Sequence, residues 1–378
     1  MKKTSKIIIG IIVLVVVVWG GFKLFGAKSD KTIEPIKIGA IFPFTGSSGI
    51  TGESSKNGLQ LAVDEINSQG GINGKDVFVI YEDSQSKTDI GLSAYKKIEN
   101  IDKIKFVFTS VSGVALAISP LANANKVIQI DVVSAAPLYS TPDDYTFRTG
   151  VNSYAFAGKM SELLASKGVN KIALLYINTE FGVGYKDVFN KEYTNTGGEI
   201  ITIESFNQGD TDFKTQISKI KNSGAKALVL ISSQKESPVI LTQISQLKLS
   251  VPIYTDVYAA ELQDNLKISS SEGVIYIKPA INNSTQFNLF KQKYLEKYGK
   301  NPDFIAAQSY DGFRLLSKAL KKCNKEQDTN CIKNELYGIK DFDGVIGDKI
   351  SFDINGDIQN RALETMTVKN GQFVKYEE

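Results

Sequence analysis

From residue 36 onward the chain alternates short apolar runs with stretches of helical periodicity, and that alternation leaves few folds open. Residues 36–42 read as a strand. Residues 55–69 read as a helix with Leu59, Ala62, Val63 and Ile66 on one face. A glycine-rich turn at 70–75, a strand at 77–81 and a helix near 89–101 follow. The order β-α-β-α-β implies a parallel sheet covered by helices on both faces. A second block of the same kind begins after Gly150, with strands expected at 172–176, 199–203, 227–231, 253–255 and 273–277 and a helix from residue 185. Two doubly wound halves of similar size suggest a bilobed α/β protein. Loops at the carboxyl ends of its strands would face one another across a cleft.

One stretch of the first block has chemistry of its own. Residues 106–108 form an apolar run that ends in the small-residue turn Ser110-Val-Ser112-Gly113, and Val114, Ala117, Ile118 and Leu121 then recur at helical spacing. Ser112 is expected as the N-cap of that helix. Free backbone N–H groups and a hydroxyl at the positive end of a helix dipole suit a carboxylate. The same turn occurs between strand and helix in many α/β proteins that bind nothing there, so the rest of the chain has to decide.

Charge and composition exclude several classes. The formal charge of +3 is misleading, because residues 1–28 hold five lysines and no acid, and without them 39 basic residues face 41 acidic ones. A near-neutral body with no basic run argues against nucleic acid as a partner. The chain has no histidine, which removes the usual general base and a Ser-His-Asp triad. Gly182-Val-Gly184 is the nearest approach to a dinucleotide loop, but Asp187 stands at the third glycine position. No cofactor is expected.

The amino terminus reads as an export signal. Lysines at 2, 3 and 6 precede an apolar stretch from residue 7 to 22, slightly short for a full span, which Lys23 and Leu24-Phe25 extend. Segment 1–28 is a signal peptide or a transmembrane anchor, and residues 29–33 are a tether. The weak small-residue site at Gly26-Ala27 favours an uncleaved anchor, with the body outside the membrane. Cysteine usage agrees with export. Cys323 and Cys331 are the only two cysteines, and they flank a polar loop that a disulfide would close. A zinc site is the competing reading, and two thiols without histidine make no complete ligand set.

Several motifs, in order, carry a resemblance. Residues 36–46, Gly58 with residues 62–67, the turn 70–75, Asp210-Thr-Asp-Phe213, residues 307–311 followed by Leu315-Leu316, and residues 352–357 are similar to the type I periplasmic binding proteins. The chain most resembles the leucine/isoleucine/valine-binding branch that serves ABC importers, from about residue 36 to 374. The resemblance implies two Rossmann-like lobes joined by three hinge crossovers, residues 34–151 and 280–361 in the first lobe and 152–279 and 362–378 in the second. It also implies site residues. Ser112 matches the serine that holds the ligand carboxylate, and Val133 and Ala135 match two further contacts. Where the family usually has a threonine this chain has Ala135, with Ser134 beside it. Phe181 matches an aromatic residue that packs on ligand, and Asp256, with Val257 as the alternative alignment, matches the acid that pairs with the ligand ammonium. Thr51 and Ser233 occupy other cleft-lining positions.

The expected function is an extracytoplasmic solute receptor, membrane-tethered or released, that captures a branched-chain or other aliphatic amino acid for an ABC permease. An amide, urea or an aromatic acid is the alternative ligand. A sensory ectodomain working with a membrane partner, or an extracellular enzyme on the same scaffold, are the alternative classes.

Overall fold

The computed structural model describes residues 34–256, 269–323, 325–359 and 361–377. The N-terminal segment 1–28, the tether 29–33 and Val257 lie outside the described residues. Among the described residues no helix is long and apolar enough to cross a membrane.

The first half runs β1 (Ile36–Phe42), α1 (Gly49–Ser68), β2 (Val77–Asp83), α2 (Thr88–Asn100), β3 (Phe106–Thr109), α3 (Ser112–Ala124), β4 (Ile128–Asp131) and β5 (Thr146–Arg148). Its five strands form one parallel sheet in the order β2-β1-β3-β4-β5. Helices cover both faces, so β3 and β4 are buried along their whole length.

The second half runs α4 (Ser153–Ser166), β6 (Lys171–Ile177), α5 (Glu180–Asn195), β7 (Glu199–Phe206), α6 (Lys214–Asn222), β8 (Ala227–Ile231), α7 (Ser237–Gln246), β9 (Ile253–Asp256) and β10 (Ile275–Pro279). The chain then returns to the first half. Helices α8 (Thr285–Tyr298) and α9 (Phe304–Lys322) pack beside α1, where Ser309 donates to the Ser55 carbonyl at 2.7 Å and Ser54 to Asp303 at 2.6 Å, and α10 (Thr329–Tyr337) packs on α9. Finally β11 (Phe342–Asp343) and β12 (Lys349–Ile350) form a small ribbon, and β13 (Leu363–Lys369) and β14 (Gln372–Lys375) add antiparallel strands to the second sheet. That sheet reads β14-β13-β10-β9-β8-β6-β7. Strand order thus assigns the chain to two α/β halves with three passages between them.

Two helices begin earlier than their periodicity predicts. Helix α1 starts at Gly49 rather than near residue 55, and α5 at Glu180 rather than near 185. Glycines in both first turns hide the pattern. At Gly52 the reason is contact: a Cβ there would lie 2.1 Å from the Pro43 carbonyl oxygen. Thr51 and Phe181 are therefore helical residues, not loop residues.

Cys323 and Cys331 form a disulfide, with Cα atoms 6.1 Å apart. Lys75 pairs with Glu326 at 2.6 Å, which docks the 70–75 turn against the loop the disulfide closes.

Candidate ligand site

Strands β3, β4, β6 and β8 all end on one cavity of 340 Å³. Of the residues expected at the site, Thr51, Ser112, Val133, Phe181 and Ser233 line it. Ser134, Ala135 and Asp256 do not, and all three are almost fully buried. Asp256 closes β9, and the loop that follows it lies outside the described residues.

Ser112 is the first residue of α3 rather than its cap. The capping position belongs to Val111, whose φ of 70° is rare for a β-branched side chain. With no side-chain cap on α3, its first amides remain available at the cavity wall. Ser112 is backed from behind: the buried Ser134 hydroxyl accepts from the Ala136 amide at 3.3 Å and donates to Ser112 Oγ at 3.2 Å. The Ser112 proton is then free for a group in the cavity. Ser134 acts from the second layer.

A buried carboxylate holds that layer in place. Asp131 accepts from the Val133 and Ser134 amides and from Thr109 Oγ1. Burial pushes its carboxyl up to about 6, against the pull of these donors and of Arg148. Arg148 donates to the carbonyls of Ser134 at 3.0 Å and Ala136 at 2.8 Å, and forms a two-pronged pair with Asp357 at 2.9 and 3.2 Å. Asp357 also accepts from Ser140 and Asn152. Ala135 is held too, its carbonyl accepting from the Ser153 amide at 2.9 Å at the start of α4.

The opposite wall comes from the second half. Phe181 lies in the first turn of α5, edge-on to Tyr185 with ring centroids 6.0 Å apart. Ser233 donates to Glu236, whose other oxygen accepts from the Gly209 amide at 2.8 Å, so the Ser233 proton is engaged. Two glutamines bridge the halves: Gln234 donates to Thr51 Oγ1 at 2.7 Å and Gln208 to Ser47 Oγ. Neither glutamine is singled out by the sequence reading, nor are Arg148, Asp357 and Glu180. Gln208, Gln234 and Arg148 sit in stretches without motif and meet their partners only through the fold, and Asp357, the last residue of the 352–357 motif, meets Arg148 in the same way. Val111, Val114, Val133 and Ile177 supply aliphatic lining beside these polar groups. Among the described residues no cluster of acids or thiols could hold a metal ion.

Residues 35–372 match the family described as Periplasmic binding protein. The chain belongs to that family. It is 26% identical over 356 residues to Leu/Ile/Val-binding protein homolog 2 of Brucella abortus, a match covering 93% of this chain and 95% of the relative. Among solved structures it is similar to the branched-chain amino acid transporter substrate binding protein LivJ of Streptococcus pneumoniae in complex with isoleucine, at 27% identity and a TM-score of 0.80 over 90% of this chain and 98% of LivJ. An ABC transporter solute binding protein of R. palustris in complex with benzoate shares the fold, at 17% identity and a TM-score of 0.82 over 90% of this chain and 95% of its own. As a periplasmic binding protein the chain is an extracytoplasmic solute-binding protein, not an enzyme.

Proposed function

We propose that this periplasmic binding protein captures an aliphatic α-amino acid, of the leucine, isoleucine or valine type, and delivers it to an ABC permease. The observation that carries the reading is the Ser112 end of α3, with its uncapped amides and its hydroxyl backed by Ser134. A ligand carboxylate there gains charge-assisted hydrogen bonds worth about 1.5–3 kcal/mol each and the favourable end of the helix dipole. The aliphatic lining of Val111, Val114, Val133 and Ile177, with Phe181 opposite, suits a branched hydrocarbon side chain. Burying one is worth roughly 1.5–3 kcal/mol.

The lobes would comprise residues 34–151 with 280–361, and 152–279 with 362–378. Closure would be a hinge motion, driven by ligand contacts that only the closed state completes. Contacts on both lobes mean that either alone would bind weakly. The segment 1–28 would export the body and, if uncut, hold it at the membrane beside its permease.

Thermal unfolding of the purified protein against amino acids, amides, urea and aromatic acids tests the reading. A ligand at about 100 times its dissociation constant adds roughly 2.7 kcal/mol and raises the midpoint clearly. The reading requires shifts from leucine, isoleucine or valine. Shifts from benzoate-like acids alone would overturn it.

A further inference from the structure

We infer that Glu180 is the residue that makes this site select a zwitterion over a simple carboxylate. The inference rests on the amino-acid reading of the cleft and names the partner of the ligand ammonium within it.

Glu180 opens α5 on the second half, and its carboxylate reaches across the cleft to the N-terminus of α3. Its Oε2 lies 2.8 Å from where a Cβ on Gly113 would stand, and Thr88 Oγ1 lies 2.8 Å from the same point. A side chain at Gly113 would displace the Glu180 carboxylate from this position. Among the described residues, no hydrogen bond or ion pair engages the Glu180 carboxylate. The cavity lining contains three ionisable side chains among the described residues, Lys87, Asp89 and Glu180. Lys87 and Asp89 lie two residues apart at the start of α2 and offset each other, so Glu180 leaves the site with one net negative charge.

An α-amino acid carries its ammonium one carbon from its carboxylate. Once the carboxylate is seated on Ser112 and the α3 amides, the ammonium partner has to stand beside that helix end. Glu180 stands there, whereas Asp256 lies outside the cavity lining. The same position penalises other ligands. A carboxylate without an ammonium would sit close to the Glu180 carboxylate with nothing to neutralise the repulsion. Glu180 also has a structural role, as an acid in the first turn of its own helix. That role affects stability and leaves ligand preference unchanged.

The test compares leucine with 4-methylpentanoate, which is leucine without its amino group, by titration calorimetry on wild type and Glu180→Gln. Wild type should bind leucine at least about a hundredfold more tightly than the deaminated acid. Glu180→Gln should weaken leucine about ten- to hundredfold while 4-methylpentanoate holds or tightens, so the preference collapses to about tenfold or less. Asp256→Asn should leave the preference intact. Leucine binding with an undiminished preference in Glu180→Gln would overturn the inference alone, and so would an equal loss of both ligands. Wild type that binds neither ligand would overturn the amino-acid reading itself, and this inference with it.

Discussion

Gln234, on the loop after β8, donates its side-chain amide to the hydroxyl of Thr51 in the first turn of α1, at 2.7 Å and with both side chains buried. The bond joins residues 183 positions apart across the cleft, so it exists only when the two halves are together.

Thr51→Val keeps the shape and removes the acceptor, leaving the Gln234 amide buried without it in the closed form. Ligand affinity should fall about five- to tenfold, mainly through faster dissociation, the usual cost of one unsatisfied buried group being about 1–3 kcal/mol. Stopped-flow release of ligand measures this. An unchanged release rate with a large loss of ligand-free stability would show that the bond holds the fold rather than the closure.

Arg148 and Asp357 form a buried pair beneath the site, and Arg148 also holds the carbonyls of Ser134 and Ala136. Asp357→Ala leaves a guanidinium buried without its counter-charge. Urea unfolding should show a loss of about 3–5 kcal/mol. Replacing both by apolar residues of similar volume should cost much less than the single change.

Asp131 gives stability a pH dependence of definite sign. Its carboxyl is raised from 3.8 to about 6 in the fold, so between those values the folded protein keeps a proton that the unfolded chain has released. This contribution is fully present below about pH 4 and is lost as pH rises through 6, with a slope of up to about 1.4 kcal/mol per pH unit. Asp131→Asn should remove that slope. Urea midpoints from pH 4 to 7.5 should bring the curves of wild type and variant to a constant separation above about pH 7. A separation that does not change with pH would contradict the assignment.

The disulfide closes a loop of eight residues' separation between α9 and α10. Chain-entropy reasoning gives it about 2–3 kcal/mol. The double Cys323→Ser, Cys331→Ser variant should unfold at correspondingly lower urea, with ligand affinity nearly unchanged because neither cysteine touches the cavity.

The alternation of apolar runs and helical stretches made the two α/β halves readable, and the run from Phe106 into Gly113 pointed to Ser112 because strand, turn and helix are all local signals. Where local signals stop, so does the reading. Glycines in the first turns of α1 and α5 hid that Thr51, Glu180 and Phe181 stand on helices. Arg148 and Asp357 lie 209 residues apart, and nothing near either announces the other. The family resemblance implies Asp256, with Val257 as the alternative, as the ammonium partner, but Asp256 closes β9 almost fully buried and outside the cavity lining. Five of the residues that the family resemblance implies, Thr51, Ser112, Val133, Phe181 and Ser233, line one cavity. The charge that reaches Gly113 became visible only with the fold.

The central claim is that Ser112 and the α3 amides hold a ligand carboxylate. Titration of leucine, isoleucine and valine into wild type and Ser112→Ala, with matched thermal midpoints to show that both are folded, tests it most directly. Wild type should bind saturably, and the variant should lose about tenfold or more in affinity. Equal affinity in the two proteins would contradict it.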